Sequence, residues 1–235
     1  MDKKKILLGI NTYNLHWLDS IKTINKPNVY IHDFSKKDTR QKILSDKIDY
    51  IIPLSDKDYQ LVKLCCYGIP ILYPAIDTLE MLNRPLHFID YMLCNFNFLI
   101  PKIYYLDGVE LSPIVYPVIS KRLYGSDNRI YFTGRVMEKY LVQQYVDGIV
   151  YGAYLLCIYG RTVNWKVVKN GNVDPGSNNL TFISLFEPII KKLNYTGGLH
   201  IDFRSTDKIY ILKINPRFGD SAFTDNFFYD LVNFD

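Results

Sequence analysis

Two consecutive strands near the end of the chain constrain its fold more than any other segment. Residues 198–204 and 208–214 alternate apolar and polar side chains around a short turn. Side chains along a strand point alternately to the two faces of a sheet. The first strand therefore places three polar side chains on one face: His200, Asp202 and Arg204. By the same alternation, the second strand is predicted to carry Ile211, Lys213 and Asn215 together on one face. Charges inside such apolar strands should face each other or a ligand, because an unpaired buried charge is costly.

The first 80 residues favour an open parallel sheet. Short continuous apolar runs, typical of buried parallel strands, occur at 5–10, 28–32, 48–53 and 70–73. Ser55 is a capping residue at the start of a predicted helix. Strands that alternate with helices predict parallel pairing with helical crossovers.

Beyond residue 80 the pattern changes to a helix over 84–98 followed by strands that polar turns separate. These strands are expected to pair antiparallel and lie at 115–121, 129–135, 140–146, 150–159 and 162–169. A second helix over 182–193 precedes the C-terminal strand pair. The sequence thus predicts a mixed α/β fold, with an N-terminal α/β subdomain at 1–80 and a second domain at 81–235.

Composition narrows the class of partner. Apolar residues make up 48% of the chain, which excludes global disorder, and the net charge is only +4. Basic residues concentrate in 118–170 and acidic ones in 218–235, which indicates a local anion site rather than a uniformly basic surface. The longest apolar stretch, 149–159, is too short to span a membrane, and the cysteine spacing indicates buried, reduced thiols. We therefore expect a cytoplasmic protein. A composition rich in Tyr, Ile, Lys and Asn is typical of an AT-rich genome, and for a viral source we expect the host cytoplasm or the virion.

Five short motifs in the second half occur in one order: Tyr116–Lys121, Tyr124–Ser126, Val142–Gly148, Tyr195–Phe203 and Ile211–Gly219. Together they resemble the ATP-grasp superfamily of carboxylate–amine and carboxylate–thiol ligases, over roughly residues 84–220. The first 80 residues resemble the small α/β domain that precedes such a core. The resemblance implies an ATP-grasp-like core with a lid at about 112–147. Lys121 and Gln143 are too close in sequence for the helix usual in that lid, so a bare, shortened antiparallel sheet is expected.

The resemblance implies ATP as the cofactor and a set of nucleotide-binding residues. Phosphate contacts would come from Arg84, Lys121, Gly125, Ser126 and Lys166. Adenine would be met by the hinge residues Gln143, Gln144, Tyr145 and Val146. Arg84 stands where the family usually has lysine, and Val150 stands where it usually has a carboxylate for the ribose. Valine cannot accept a hydrogen bond, so ribose recognition is expected to be weakened or supplied elsewhere.

The resemblance also implies magnesium on Asp202 and Asn215, a phosphoryl contact from Arg217, and His200 near the substrate. Position 213, where relatives have a glutamate that bridges two metal ions, is Lys213. An ammonium repels a nearby cation, so we expect the bridging metal arrangement to be lost, leaving magnesium weak or without its second site. Two outcomes stay open: Lys213 neutralises the phosphates directly, or it pairs with Asp202 and leaves an inactive site.

Two functions therefore compete. The first is an ATP-dependent carboxylate–amine ligase that works through an acyl phosphate, with Arg217, Lys213 and His200 in its catalytic site and a small carboxylate or peptide as substrate. The alternative is a catalytically inactive nucleotide-binding or scaffold protein that lost the bridging glutamate. Neither a membrane nor nucleic acid is expected as a partner, and a homodimer is left open.

Overall fold

The structure is a computed structural model that describes residues 6–10, 29–33, 38–65, 68–121, 128–134, 141–173 and 179–218. Its elements form three sheets with helices between them, which confirms the predicted mixed α/β class. Among the helices in those ranges, none has the length and apolar character that a membrane span requires.

The N-terminal sheet is parallel, as predicted. Its three strands are β1 (Ile6–Ile10), β2 (Val29–Asp33) and β3 (Tyr50–Pro53), in the order β2-β1-β3. The helices α1 (Thr39–Asp46) and α2 (Asp56–Cys65) belong to this part of the chain. The run at 70–73 forms only a single parallel bridge, Ile51 to Ile71, instead of a fourth strand. Pro70 removes one backbone donor from that run, which limits its ladder.

The start of α2 shows why that helix forms where the sequence predicts it. Ser55 Oγ accepts a hydrogen bond from the backbone N–H of Asp58 at 3.2 Å, and its hydroxyl donates to Asp58 Oδ2 at 2.7 Å. Asp58 is fully buried. The pair therefore satisfies a helix-end donor and a buried carboxyl group at once.

Two helices lead from the N-terminal part to the remaining sheets. They are α3 (Ile76–Asn83) and α4 (Pro85–Phe96), and a 3-10 turn over Asn97–Leu99 follows. Helix α4 buries the stripe Phe88, Ile89, Met92 and Phe96, as helical spacing predicts. Helix α3 spans residue 80, and the domain boundary expected there stays a prediction.

The middle sheet is antiparallel, with the strand order β5-β4-β8-β6-β7. Its strands are β4 (Ile103–Leu106), β5 (Val109–Glu110), β6 (Val118–Lys121), β7 (Asn128–Tyr131) and β8 (Leu141–Gln144). Sequence reasoning missed β4 and β5, which carry no clear alternation. No helix occurs among the described residues between β6 and β8; residues 122–127 and 135–140 lie outside that description. The lid boundaries at about 112 and 147 stay a prediction.

The C-terminal sheet is antiparallel too, in the order β11-β10-β9-β12-β13. Its strands are β9 (Ile149–Ile158), β10 (Arg161–Lys169), β11 (Asn172–Val173), β12 (Gly197–Ser205) and β13 (Ile209–Asn215). Helix α5 (Asn179–Lys192) and α4 cover one face and form the main core with it. The opposite face of this sheet carries the polar side chains.

One prediction about that sheet is wrong. Ile211 was expected on the face of Lys213 and Asn215, but it lies in the core beside Ile214. The ladder between β12 and β13 shifts between Asp202 and Phe203, so that Phe203 pairs with Ile211. This irregularity inserts an extra residue, which reverses the alternation on one side of it. Both isoleucines are thereby buried while Lys213 stays exposed.

The cysteines follow expectation only in part. Cys157 is buried in the core, and burial raises the pKa of its thiol to about 12. Cys94 is exposed on α4, so the expectation of buried thiols is wrong there.

Candidate functional site

The polar face of the C-terminal sheet arranges its side chains in two rows across the strands. In one row, Lys166 pairs with Tyr154, Tyr154 with His200, and His200 with Asn215. In the next row, Gly152 pairs with Asp202 and Asp202 with Lys213. Directly opposite residues on neighbouring strands lie within side-chain reach. The register therefore brings together His200, Asp202, Lys213 and Asn215, as the alternation predicts.

Three of these side chains form a closed hydrogen-bonded triangle. The Asn215 amide donates from Nδ2 to Asp202 Oδ2 at 3.1 Å and lies 3.3 Å from His200 Nδ1. His200 Nε2 lies 3.2 Å from Asp202 Oδ1. Since an amide nitrogen only donates, Nδ1 is the acceptor and the histidine proton sits on Nε2, facing the carboxylate. Both ring nitrogens of His200 and both oxygens of Asp202 are thus engaged.

The histidine ring is also held from one side. It stacks on the ring of Tyr154 with a centroid distance of 4.2 Å and an interplanar angle of 5°. Gly152 leaves the space that this arrangement needs, because a Cβ added there would lie 3.0 Å from His200 Nε2. Sequence reasoning missed Tyr154 and Gly152. Their alternation along β9, two residues apart, was the available signal.

Lys121 comes to the same site from the middle sheet. It pairs with Leu141 in the ladder, and Ile119 pairs with Gln143, so Lys121 and Gln143 share one face of that sheet. The pKa of the Lys121 ammonium is lowered to about 8, mainly by burial and further by the positive charges of Arg204 and Lys213. The negative charge of Asp202 acts in the opposite direction and raises this pKa. The charges that act on Lys121 belong to β12 and β13 of the C-terminal sheet.

The site carries an excess of positive charge. Lys121, Arg204 and Lys213 are cations, and Asp202 is the carboxylate that acts with them, so their net charge is +2. An arrangement of this kind binds anions, and phosphate oxygens suit both the guanidinium fork and the ammonium groups.

Arg204 links the sheet to the predicted hinge. Its Nη1 donates to the carbonyl oxygen of Val146 at 2.7 Å and lies 3.4 Å from the Tyr145 hydroxyl, and its guanidinium lies over the Tyr145 ring at 5.2 Å. The Tyr145 N–H donates to Pro117 O at 3.0 Å. Within the described parts of the chain, the Val146 N–H has no hydrogen-bond acceptor, so it can donate to a ligand. Sequence analysis put Arg204 on the polar face but gave it no role.

The two glutamines of the hinge point to opposite sides. Gln143 is only 5% exposed and shares the face of Lys121, and its side chain makes no hydrogen bond to any residue that the structure describes. Gln144 pairs with Val118 on the other face and lines an open cleft with Lys102 and Ser112. Alternation along β8 explains the difference, because neighbouring residues of a strand lie on opposite faces. Gln143 is therefore the glutamine on the face of Lys121.

The remaining predicted residues are less closely associated with this cluster. Arg84 is exposed between α3 and α4 and pairs with Glu80 at 3.3 Å. Lys166 lies three strands away from Asn215 in the same row. Arg217 is partly buried and donates to the backbone oxygen of Phe218 at 3.2 Å. Gly125 and Ser126 lie outside the described residues, so their role as a phosphate loop stays a prediction.

Magnesium does not fit the donor set at this site. Magnesium prefers about six oxygen ligands in a near-octahedral arrangement. Asp202 is the carboxylate that the described residues place at the site, both its oxygens are hydrogen-bonded, and Lys213 lies opposite it in the ladder. No group of three or more His, Cys, Asp or Glu side chains occurs among the described residues in a metal-binding arrangement.

Comparison with solved structures shows the fold. D-Alanine-D-alanine ligase from Helicobacter pylori is similar with a TM-score of 0.62 and 12% identity, covering 98% of this chain and 97% of that one. L-Amino acid ligase from Bacillus licheniformis has a TM-score of 0.60 and 15% identity, covering 100% and 73%. D-Alanine-D-alanine ligase from Bacillus anthracis, in complex with ATP, has a TM-score of 0.56 and 9% identity, covering 92% and 87%.

Comparison of the sequence gives the family. No curated protein matches it. The family model described as an ATP-grasp domain matches residues 92–221, which is more than half of the chain and includes the middle sheet, the hinge and the polar strand pair. The protein therefore belongs to the ATP-grasp family.

Proposed function

We propose that this protein binds ATP between the middle and C-terminal sheets and uses it to join a carboxylate to an amine. The observation that carries the proposal is the 2.7 Å hydrogen bond from Arg204 to the Val146 carbonyl oxygen, which joins the polar face of the C-terminal sheet to the hinge. Lys213 lies opposite Asp202 on that face, and Lys121 shares a face of the middle sheet with Gln143. The net positive charge of these side chains suits the phosphate chain. The neighbouring hinge offers the Val146 N–H and the Gln143 amide to the adenine edge.

In the proposed reaction, a carboxylate oxygen of the substrate attacks the γ-phosphorus of ATP and the bond to ADP breaks. Lys213 and Arg217 neutralise the phosphoryl oxygens as that transfer proceeds. The amine nitrogen then attacks the acyl carbon, phosphate leaves with the carbon–oxygen electron pair, and the nitrogen loses a proton to give the amide. His200 contributes position rather than proton transfer, because both its ring nitrogens are engaged.

The L-amino acid ligase and the D-alanine-D-alanine ligases to which the fold is similar support a small carboxylate or peptide as the substrate class. A test supplies ATP with single amino acids and dipeptides, and measures ADP release together with a product whose mass is the sum of two substrates less one water. Arg217→Met should lower kcat strongly while ATP affinity stays within about threefold of wild type, because the residue acts on the transferred group. Equal loss of ATP affinity and kcat would contradict that role.

The second candidate is a nucleotide-binding protein without catalysis. Lys213 in the position of a metal-bridging glutamate, together with the closed triangle of His200, Asp202 and Asn215, favours it. ATP binding without ADP release for any carboxylate and amine pair would support this candidate over the ligase. Absence of ATP binding under all conditions would exclude both.

A further inference from the structure

Asp202 is already satisfied by protein donors. Asn215 donates to one of its oxygens at 3.1 Å, and His200 Nε2 lies 3.2 Å from the other. A magnesium ion placed there would share these oxygens with the two donors, and it would lie opposite the Lys213 ammonium, which repels a cation. The described residues would offer it one carboxylate and the Asn215 carbonyl oxygen, and the charge of Lys213 would oppose its binding.

Lys213, by contrast, is available. It is exposed, it stands directly opposite Asp202 in the β12–β13 ladder, and among the described residues it forms no salt bridge with that carboxylate. An ammonium carries three N–H donors and one positive charge on a flexible stem. It can therefore turn toward an anion without breaking an ion pair with any residue that the structure describes.

Lysine at position 213 supplies the same net charge as a glutamate that holds one divalent cation. A glutamate with one divalent cation carries a net charge of +1, and a lysine alone carries the same. Lys121 and Arg204 already supply two further positive charges to the same space. A phosphate chain entering it would meet three cationic side chains whose positions are set by three different strands, β6, β12 and β13.

We propose that this site binds the phosphate chain of ATP without a divalent cation, with the Lys213 ammonium in the place of the metal ion. The inference rests on the proposed nucleotide site and adds its ion requirement. Metal-free ATP carries more negative charge than its magnesium complex, so a site built from side-chain cations should bind it at least as tightly.

The test is titration calorimetry of ATP into the full chain, in EDTA and in excess magnesium. For the wild type we expect the Kd in EDTA to be equal to or lower than the Kd in magnesium. Lys213→Met should weaken binding in EDTA about tenfold or more, since it removes a charge-assisted contact. Lys213→Glu should weaken it further in EDTA and recover in magnesium. Lys192→Met, at the exposed end of α5 on the other side of the sheet, is the matched control and should change nothing.

A wild type that binds ATP only in magnesium would overturn the inference and leave the proposed function standing. Equal affinity of wild type and Lys213→Met for ATP in EDTA would overturn it as well, because Lys213 would then not take the place of the metal ion. No ATP binding in either condition would contradict the proposed function itself. Thermal unfolding of each variant is the control that shows whether the fold is retained. Inorganic tripolyphosphate that competes with ATP in EDTA would support the assignment to the phosphate chain; failure to compete would count against it.

Discussion

The affinity for ATP should fall as pH rises through the pKa of Lys121. Burial and the neighbouring charges of Arg204 and Lys213 lower that pKa from 10.5 to about 8 in the ligand-free protein. A bound phosphate favours the charged ammonium and raises the pKa again. The complex therefore holds the proton at a pH where the free protein has released it, and binding above pH 8 takes up a proton.

The expected size follows from the shift. If the bound phosphates return the pKa to its ordinary value of 10.5, affinity falls tenfold per pH unit well above 8. From pH 7.5 to pH 9 the loss is about eightfold, or about 1.2 kcal/mol. The phosphate of ATP itself titrates near pH 6, so it contributes little in this range. The stability of the ligand-free protein should change in the opposite direction: the folded pKa is lower than the unfolded one, so the free energy of unfolding rises between about pH 8 and 10.5.

Titration calorimetry at several pH values, in two buffers of different ionisation enthalpy, measures both the affinity and the proton uptake. Lys121→Arg is the matched variant, since a guanidinium keeps its charge over the whole range and should give a flat profile. A flat wild-type profile, or the same slope in Lys121→Arg, would refute the reasoning that Lys121 meets the phosphate chain.

Two further predictions concern the stability of the fold. Gly152→Ala places a Cβ 3.0 Å from His200 Nε2 and should lower the free energy of unfolding by about 1 kcal/mol or more in urea titrations. In a His200→Ala background the same substitution should cost much less, and equal costs in the two backgrounds would show that the ring is not the obstacle. Ser55→Ala removes the cap of α2 and a hydrogen bond to the buried Asp58 carboxyl, and should cost about 1–2 kcal/mol. The exposed Ser45→Ala is its control, and equal unfolding midpoints of the two variants would contradict the capping argument.

Local sequence patterns predicted much of the fold. The apolar runs at 5–10 and 28–32 became parallel strands, Ser55 capped a helix, and the alternation from His200 to Arg204 put those side chains on one face. All of these depend on residues within one turn or one strand, where side-chain direction follows from backbone geometry. The short strand β4 escaped prediction because pairing with β8, far along the chain, stabilises it, and β5 in turn pairs with β4.

The candidate site shows the same division. The sequence by itself determined which residue types were present: a lysine at a strand end, a charged strand pair, and Lys213 in place of a carboxylate. Only the tertiary structure decided that Lys121 and Arg204 act on one another across two sheets, and that Asp202 is held by His200 and Asn215. The irregular register beside Asp202, which buries Ile211, was likewise undetermined by the pattern. Alternation along a strand predicts the face of the sheet on which a side chain lies. Which faces of two sheets come close together depends on packing between segments distant in sequence, and a local sequence pattern does not predict that packing.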